Sequence, residues 1–94
     1  MSVTRINKFK SADGKEAELF DFLKSLTPYI TSSEGNLSYE VLQNSEDQSD
    51  FVIIEKWESI QSHKNSVESF PKEQMQSAMS LFGGAPTGSY YSNS

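Results

Sequence analysis

Phe51-Val52-Ile53-Ile54-Glu55-Lys56-Trp57-Glu58-Ser59 opens on four consecutive apolar residues and closes on two polar ones. β-Branched and aromatic residues dominate its first half, which favours an extended chain. Because Val52, Ile53 and Ile54 are adjacent, they cover both faces of a strand, so the segment suits the middle of a sheet. Immediately upstream, Asn44 to Asp50 is polar throughout and reads as a hairpin loop. Before it, Leu37, Tyr39 and Val41 alternate with Ser38, Glu40 and Leu42, the pattern of a half-buried strand.

Further towards the N-terminus, residues 15–33 carry Leu19, Phe22, Leu23, Leu26 and Ile30 at three- and four-residue spacing. That spacing predicts an amphipathic helix. Pro28 is expected to kink it or end it near Thr27, and Gly35 to stop it. Asp13, with Glu16 three residues on, reads as a helix cap. Residues 3–10 alternate as a first strand: Val3, Arg5, Asn7 and Phe9 share one face, and Thr4, Ile6, Lys8 and Lys10 the other.

Downstream, Ser59 is placed to cap a short helix over residues 60–67. Pro71 suits the first position of another, with Met75, Met79 and Phe82 on one side and Gly83-Gly84 at its end. Ser89-Tyr90-Tyr91 makes a last short strand, and a flexible tail is expected over about 92–94. The order is βαββαβ with a broken second helix. This predicts one α+β domain over residues 1–94, ferredoxin-like, with a four-stranded antiparallel sheet and helices on one face. The second sheet face is then uncovered, and apolar residues point both ways from residues 51–57. A partner sheet on that face, from a second copy of the chain, follows as an expectation.

Composition narrows the function. The chain has 94 residues, 8 basic and 13 acidic, for a net charge of −5. Lys and Arg form no cluster, so no nucleic-acid partner and no anionic-membrane anchor is expected. There is no cysteine and one histidine, His63. A thiolate site or a multi-histidine metal site within one chain is therefore excluded, and no metal is expected. No apolar stretch has the length of a signal peptide core or a membrane span, which gives a cytoplasmic expectation.

Two segments carry a resemblance. Glu34-Gly35-Asn36-Leu37-Ser38-Tyr39-Glu40 and Phe51-Val52-Ile53-Ile54-Glu55-Lys56-Trp57-Glu58-Ser59 are similar, in order and spacing, to segments of the antibiotic biosynthesis monooxygenase family. The resemblance implies a dimeric α/β barrel, two sheets face to face, with a pocket in each subunit between sheet and helices. It also implies several chemistries: cofactor-independent oxygenation of quinols and polyketide-type aromatics, haem degradation, and isomerisation of small sugar-derived molecules. Fold alone does not choose among them.

Candidate site residues follow from it. Asn7 stands where the haem-degrading branch places a pocket asparagine, and a side-chain amide can orient a substrate oxygen or O2. That branch also needs a tryptophan and a histidine at positions occupied here by Ser66 and Gln76, so haem degradation is disfavoured. Many relatives carry an acid–base histidine at the position of Ser66. His63 lies three residues earlier, on the same helix face, and is the candidate acid or base. Taken alone, a histidine beside Lys64 is expected at the surface. Trp57 suits stacking on a flat ring, or a core anchor. Tyr39, Phe22 and Met79, with Ser66, complete an expected substrate-binding set. Glu55, if buried, is expected to pair with Arg5 or Lys8. In a cofactor-free oxygenase the ring's own anion supplies electrons to O2, so no cofactor is expected. The competing functions are a non-catalytic ligand-binding homodimer and a small-molecule isomerase.

Overall fold

In the computed structural model, which describes residues 2–92, strand β1 (Val3–Lys10) lies antiparallel to β3 (Asp50–Trp57). β2 (Asn36–Gln43) pairs with the other edge of β3, and β4 (Thr87–Tyr91) with the other edge of β1. The sheet order is β2-β3-β1-β4, the ferredoxin-like arrangement. β3 is thus central, as its doubly apolar sequence requires. Cross-strand rows on the helix-facing side include Phe9 with Phe51, Asn7 with Ile53 and Val41, and Arg5 with Glu55, Tyr39 and Tyr90.

Four helices cover that side: α1 (Glu16–Ser25), α2 (Thr27–Thr31), α3 (Ile60–Ser69) and α4 (Lys72–Ala78). The predicted 15–33 helix is two pieces. Pro28 sits in the first turn of α2, where its missing N–H costs nothing, so it starts the second helix instead of ending the first. α1 begins at Glu16 after Lys15, with no side-chain cap. The Asp13 cap does not form, because Gly14 turns the chain at φ +77° before the helix starts. Ser59 does cap α3, its Oγ accepting from the Ser62 N–H at 3.1 Å. Phe70 is extended, as a residue before proline must be, and Pro71 precedes α4 by one residue. The tail expected from about residue 92 falls mostly outside the described residues.

Leu19 and Leu23 of α1 press on Phe51 and Ile53 of β3, and all four are essentially inaccessible. Each such side chain contributes roughly 1.5–3 kcal/mol by leaving water. Phe20 packs on Phe51 with ring centres 5.5 Å apart. Near the other end of the sheet, Gly35 (φ +86°) lets β2 approach α3. A Cβ at that position would overlap the Ser62 side chain, so both its conformation and its space demand glycine. The core fills the α1 end of the sheet–helix layer and leaves the opposite end to a cavity.

Candidate functional site

The cavity has a volume of about 640 Å³, which is the size of a small-molecule site. Its floor is the helix-facing side of β1 and β3: Arg5, Asn7, Phe9, Glu55 and Trp57. Its walls come from the helices, through Leu26, Tyr29 and Ile30 on one side and His63, Ser66, Val67 and Phe70 on the other. Met75 of α4 and Pro86, with the exposed Glu68 and Lys72, complete it. Most of this surface is apolar, and the polar groups gather on the floor and at α3.

Those polar groups are wired together. His63 is buried, against the surface expectation, because Tyr90 on β4 reaches its Nδ1 at 2.6 Å. Trp57 stands edge-on to the imidazole at 5.5 Å, and its Nε1–H donates to Glu55 Oε1 at 2.9 Å. The same carboxylate oxygen lies 3.8 Å from His63 Nε2. Arg5 Nε donates to Asn7 Oδ1 at 2.9 Å, and its guanidinium lies over the Tyr90 ring at 4.6 Å. Glu55 therefore does not form the expected ion pair with Arg5. Arg5 faces it across the strands, but the carboxylate is turned to Trp57 and His63. Lys8 points to the other sheet face, by strand alternation from Arg5 and Asn7.

Four of the seven sequence-derived site residues line this cavity: Asn7, Trp57, His63 and Ser66. The Ser66 hydroxyl is 2.9 Å from that of Ser33, so its polar end is engaged away from the cavity. The other three are elsewhere. Tyr39 packs against the core and donates its hydroxyl to the Leu23 carbonyl at 2.6 Å. Phe22 also packs on that core. Met79 is exposed, because α4 ends at Ala78 and a tighter 3₁₀ turn over Met79–Leu81 carries the side chain off the helix face. Arg5 and Tyr90 were missed as site residues. Arg5 was legible in the strand alternation that placed it beside Asn7. Tyr90 had no local signal, because only sheet closure brings β4 next to β1.

Burial, and then the Arg5 charge, push the His63 imidazole down to about 4. Burial pushes Glu55 up, opposed by the Trp57 hydrogen bond and by Arg5. At neutral pH His63 is thus an uncharged acceptor or donor. The unfolded chain binds a proton at an ordinary histidine value while the folded chain does not, so stability falls as pH drops from about 6.5 and levels off below about 4. The contribution reaches about 3 kcal/mol at most, and the raised Glu55 carboxyl offsets part of it, since it favours the folded state in acid. NMR titration of the single imidazole should give a midpoint near 4. His63→Gln should flatten the stability profile between those limits, and a midpoint near 6.5 would contradict the buried placement.

Among the described residues, no cluster of three or more His, Cys, Asp or Glu is positioned to hold a metal ion. No helix there is long and apolar enough to cross a membrane.

The fold has close structural parallels. SnoaB, a cofactor-independent oxygenase from Streptomyces nogalater (solved as a mutant), superposes with a TM-score of 0.83 at 13% identity, over 98% of this chain and 92% of that one. PA3566 from Pseudomonas aeruginosa gives 0.87 at 18% identity, over 98% and 93%. A conserved protein from Methanosarcina mazei gives 0.86 at 21% identity, over 97% and 91%. At these identities the likeness speaks for the fold. No curated protein matches the chain by sequence. The family model for antibiotic biosynthesis monooxygenases matches residues 2–79, from β1 through α4, and the chain belongs to that family.

Proposed function

We propose that the chain is a cofactor-independent monooxygenase acting on a small hydroxylated aromatic, quinol or polyketide-like ring, and that it works as a cytoplasmic homodimer. The observation that carries the reading is an apolar cavity with an amide, Asn7, on its floor and a buried, uncharged histidine, His63, in its α3 wall. An isomerase for a sugar-derived substrate would need a cavity richer in polar groups than this one.

The reaction converts a ring C–H to C=O: phenol plus O2 gives quinone plus water. The ionised ring gives an electron to O2, and the two radicals join to form a C–O bond. His63 Nε2 has no hydrogen-bond partner among the described residues and is the basic atom when Nδ1–H donates to Tyr90. It takes the remaining proton from that carbon. The C–H electrons become the carbonyl π bond as the O–O bond breaks. The outer oxygen leaves as water, with one proton from the ring carbon and one from solvent, which replaces the proton the ring hydroxyl lost on ionising. Glu55, 3.8 Å from Nε2, steadies the imidazolium that forms. Asn7 steadies the developing oxyanion. The dry walls keep water from quenching the radical pair.

The test is oxygen uptake, with ¹⁸O incorporation into the quinone, on 1-naphthol and 1,5-dihydroxynaphthalene. His63→Ala should lower the rate by about 10²–10³-fold and Asn7→Ala by about 10². If the rings bind but oxygen uptake equals the protein-free rate, the chain is a ligand-binding protein and the oxygenase reading fails.

A further inference from the structure

Arg5 is a cation on the floor of an apolar cavity in a protein of net charge −5. The cross-strand Glu55 feels this charge but makes no ion pair with it. Among the described residues no carboxylate comes within 4 Å of its guanidinium, and the cross-strand Glu55 is committed to Trp57. Its Nε is satisfied by Asn7 Oδ1, while its two terminal nitrogens donate to no acceptor among the described residues. A half-buried guanidinium that turns unused donors towards a cavity is suited to meet an anion there.

The surroundings hold this arrangement open. The Tyr90 ring supports the guanidinium plane from one side. Asn7 spends its oxygen on Arg5, so its Nδ2 donors remain for a second acceptor on the same floor. Gly88 on β4 faces both residues. A Cβ there would overlap Asn7 Oδ1 and the Arg5 guanidinium, so glycine keeps the pair in place.

We infer that Arg5 and Asn7 form an oxyanion subsite, and that the ligand of this cavity is a flat aromatic ring bearing an ionised oxygen, phenolate or carboxylate. The inference rests on the cavity reading above and sharpens its substrate class. Binding of a phenol here breaks its O–H bond, and the proton leaves to solvent through the cavity mouth. The ring then arrives in the electron-rich form that reacts with O2. The guanidinium fork matches a carboxylate equally well, so the two sources are separated by experiment.

Trp57 is the single tryptophan and lines the cavity, so its fluorescence reports occupancy. The full-length chain is titrated with 1-naphthoate, with neutral 1-naphthamide, and with 4-nitro-1-naphthol, whose anion is followed by its visible absorbance. Naphthoate should bind at least about tenfold tighter than naphthamide, and the bound nitronaphthol should ionise at least about one pH unit lower than in water. Either preference supports the subsite, and the larger one identifies its natural anion. Arg5→Gln should remove both preferences and leave naphthamide affinity within about threefold, while Gly88→Ala should weaken naphthoate. If Arg5→Gln does not fold, Arg5→Lys carries the test: it should keep a reduced anion preference. No anion preference in the natural chain, or one that survives Arg5→Gln, overturns the subsite and leaves the cavity reading standing. No quenching by any ring overturns both.

Discussion

Trp57→Ala is expected to cost the fold about 3–5 kcal/mol, read from urea unfolding. Two effects add. The indole is only 1% exposed at the end of β3, so truncation leaves a hole where the sheet meets α3. The second is polar. Glu55 is 4% exposed, and the indole N–H is the hydrogen-bond donor recorded to its carboxylate. Without it a buried carboxyl loses its partner, at about 1–3 kcal/mol. The two separate in Trp57→Phe, which keeps most of the volume and removes only the N–H, and should cost about 1–2 kcal/mol. Domains of this size hold about 5–15 kcal/mol in total, so the alanine variant should be near the edge of folding at 37 °C. A loss below about 1.5 kcal/mol would mean that the indole does not pack as described. Because Trp57 also lines the cavity, either variant changes ligand binding, and stability is measured without ligand.

The same residue shows how much the sequence could say. Residues 51–57 announce a central strand because their apolar character covers both faces, and a central strand with one helical layer is most of a ferredoxin-like fold. Alternation in residues 3–10 put Arg5, Asn7 and Phe9 on one face, and the cavity floor is that face. Three of the misreadings, at His63, Tyr39 and Phe22, share one cause: burial set by partners distant in sequence. His63, next to Lys64 on a polar helix, looks like a surface residue until Tyr90 comes from 27 positions away. Tyr39 and Phe22 carry the right chemistry, but α1 claims that end of the sheet for the core. Met79 fails for a local reason, since a helical stripe does not reveal where the helix tightens to 3₁₀. Pro28 gave a break that was real and a direction that was wrong, because proline both ends helices and begins them.

Ile54→Lys is expected to turn a dimer into a monomer of 10.5 kDa. The face of the sheet opposite the helices carries Glu40, Ile54, Ile6 and Ser89 in one cross-strand row, and Leu42, Val52, Lys8 and Thr87 in the next. Its centre, Ile6, Ile54, Val52 and Leu42, is apolar and lies partly or fully open to solvent. A second copy related by a twofold axis would lay this patch on itself, with Lys8, Lys56 and Glu40 towards the rim. In such an isologous contact each substitution counts twice. Two lysines then meet near the axis, each leaving water for an apolar surface, with Glu40 on the neighbouring strand as the acid beside each. About 4 kcal/mol of lost association, or roughly a thousandfold in dissociation constant, is a conservative expectation. The fold of one chain should survive, because the substituted side chain faces away from the Leu19–Phe51 core. Light scattering at micromolar concentration decides it: the natural chain should run at twice the chain mass and the variant at the chain mass. Equal sizes for the two would remove the sheet face as the interface. A monomeric natural chain would remove the dimer altogether, and with it the physical reason why β3, apolar on both sides, has only one side covered.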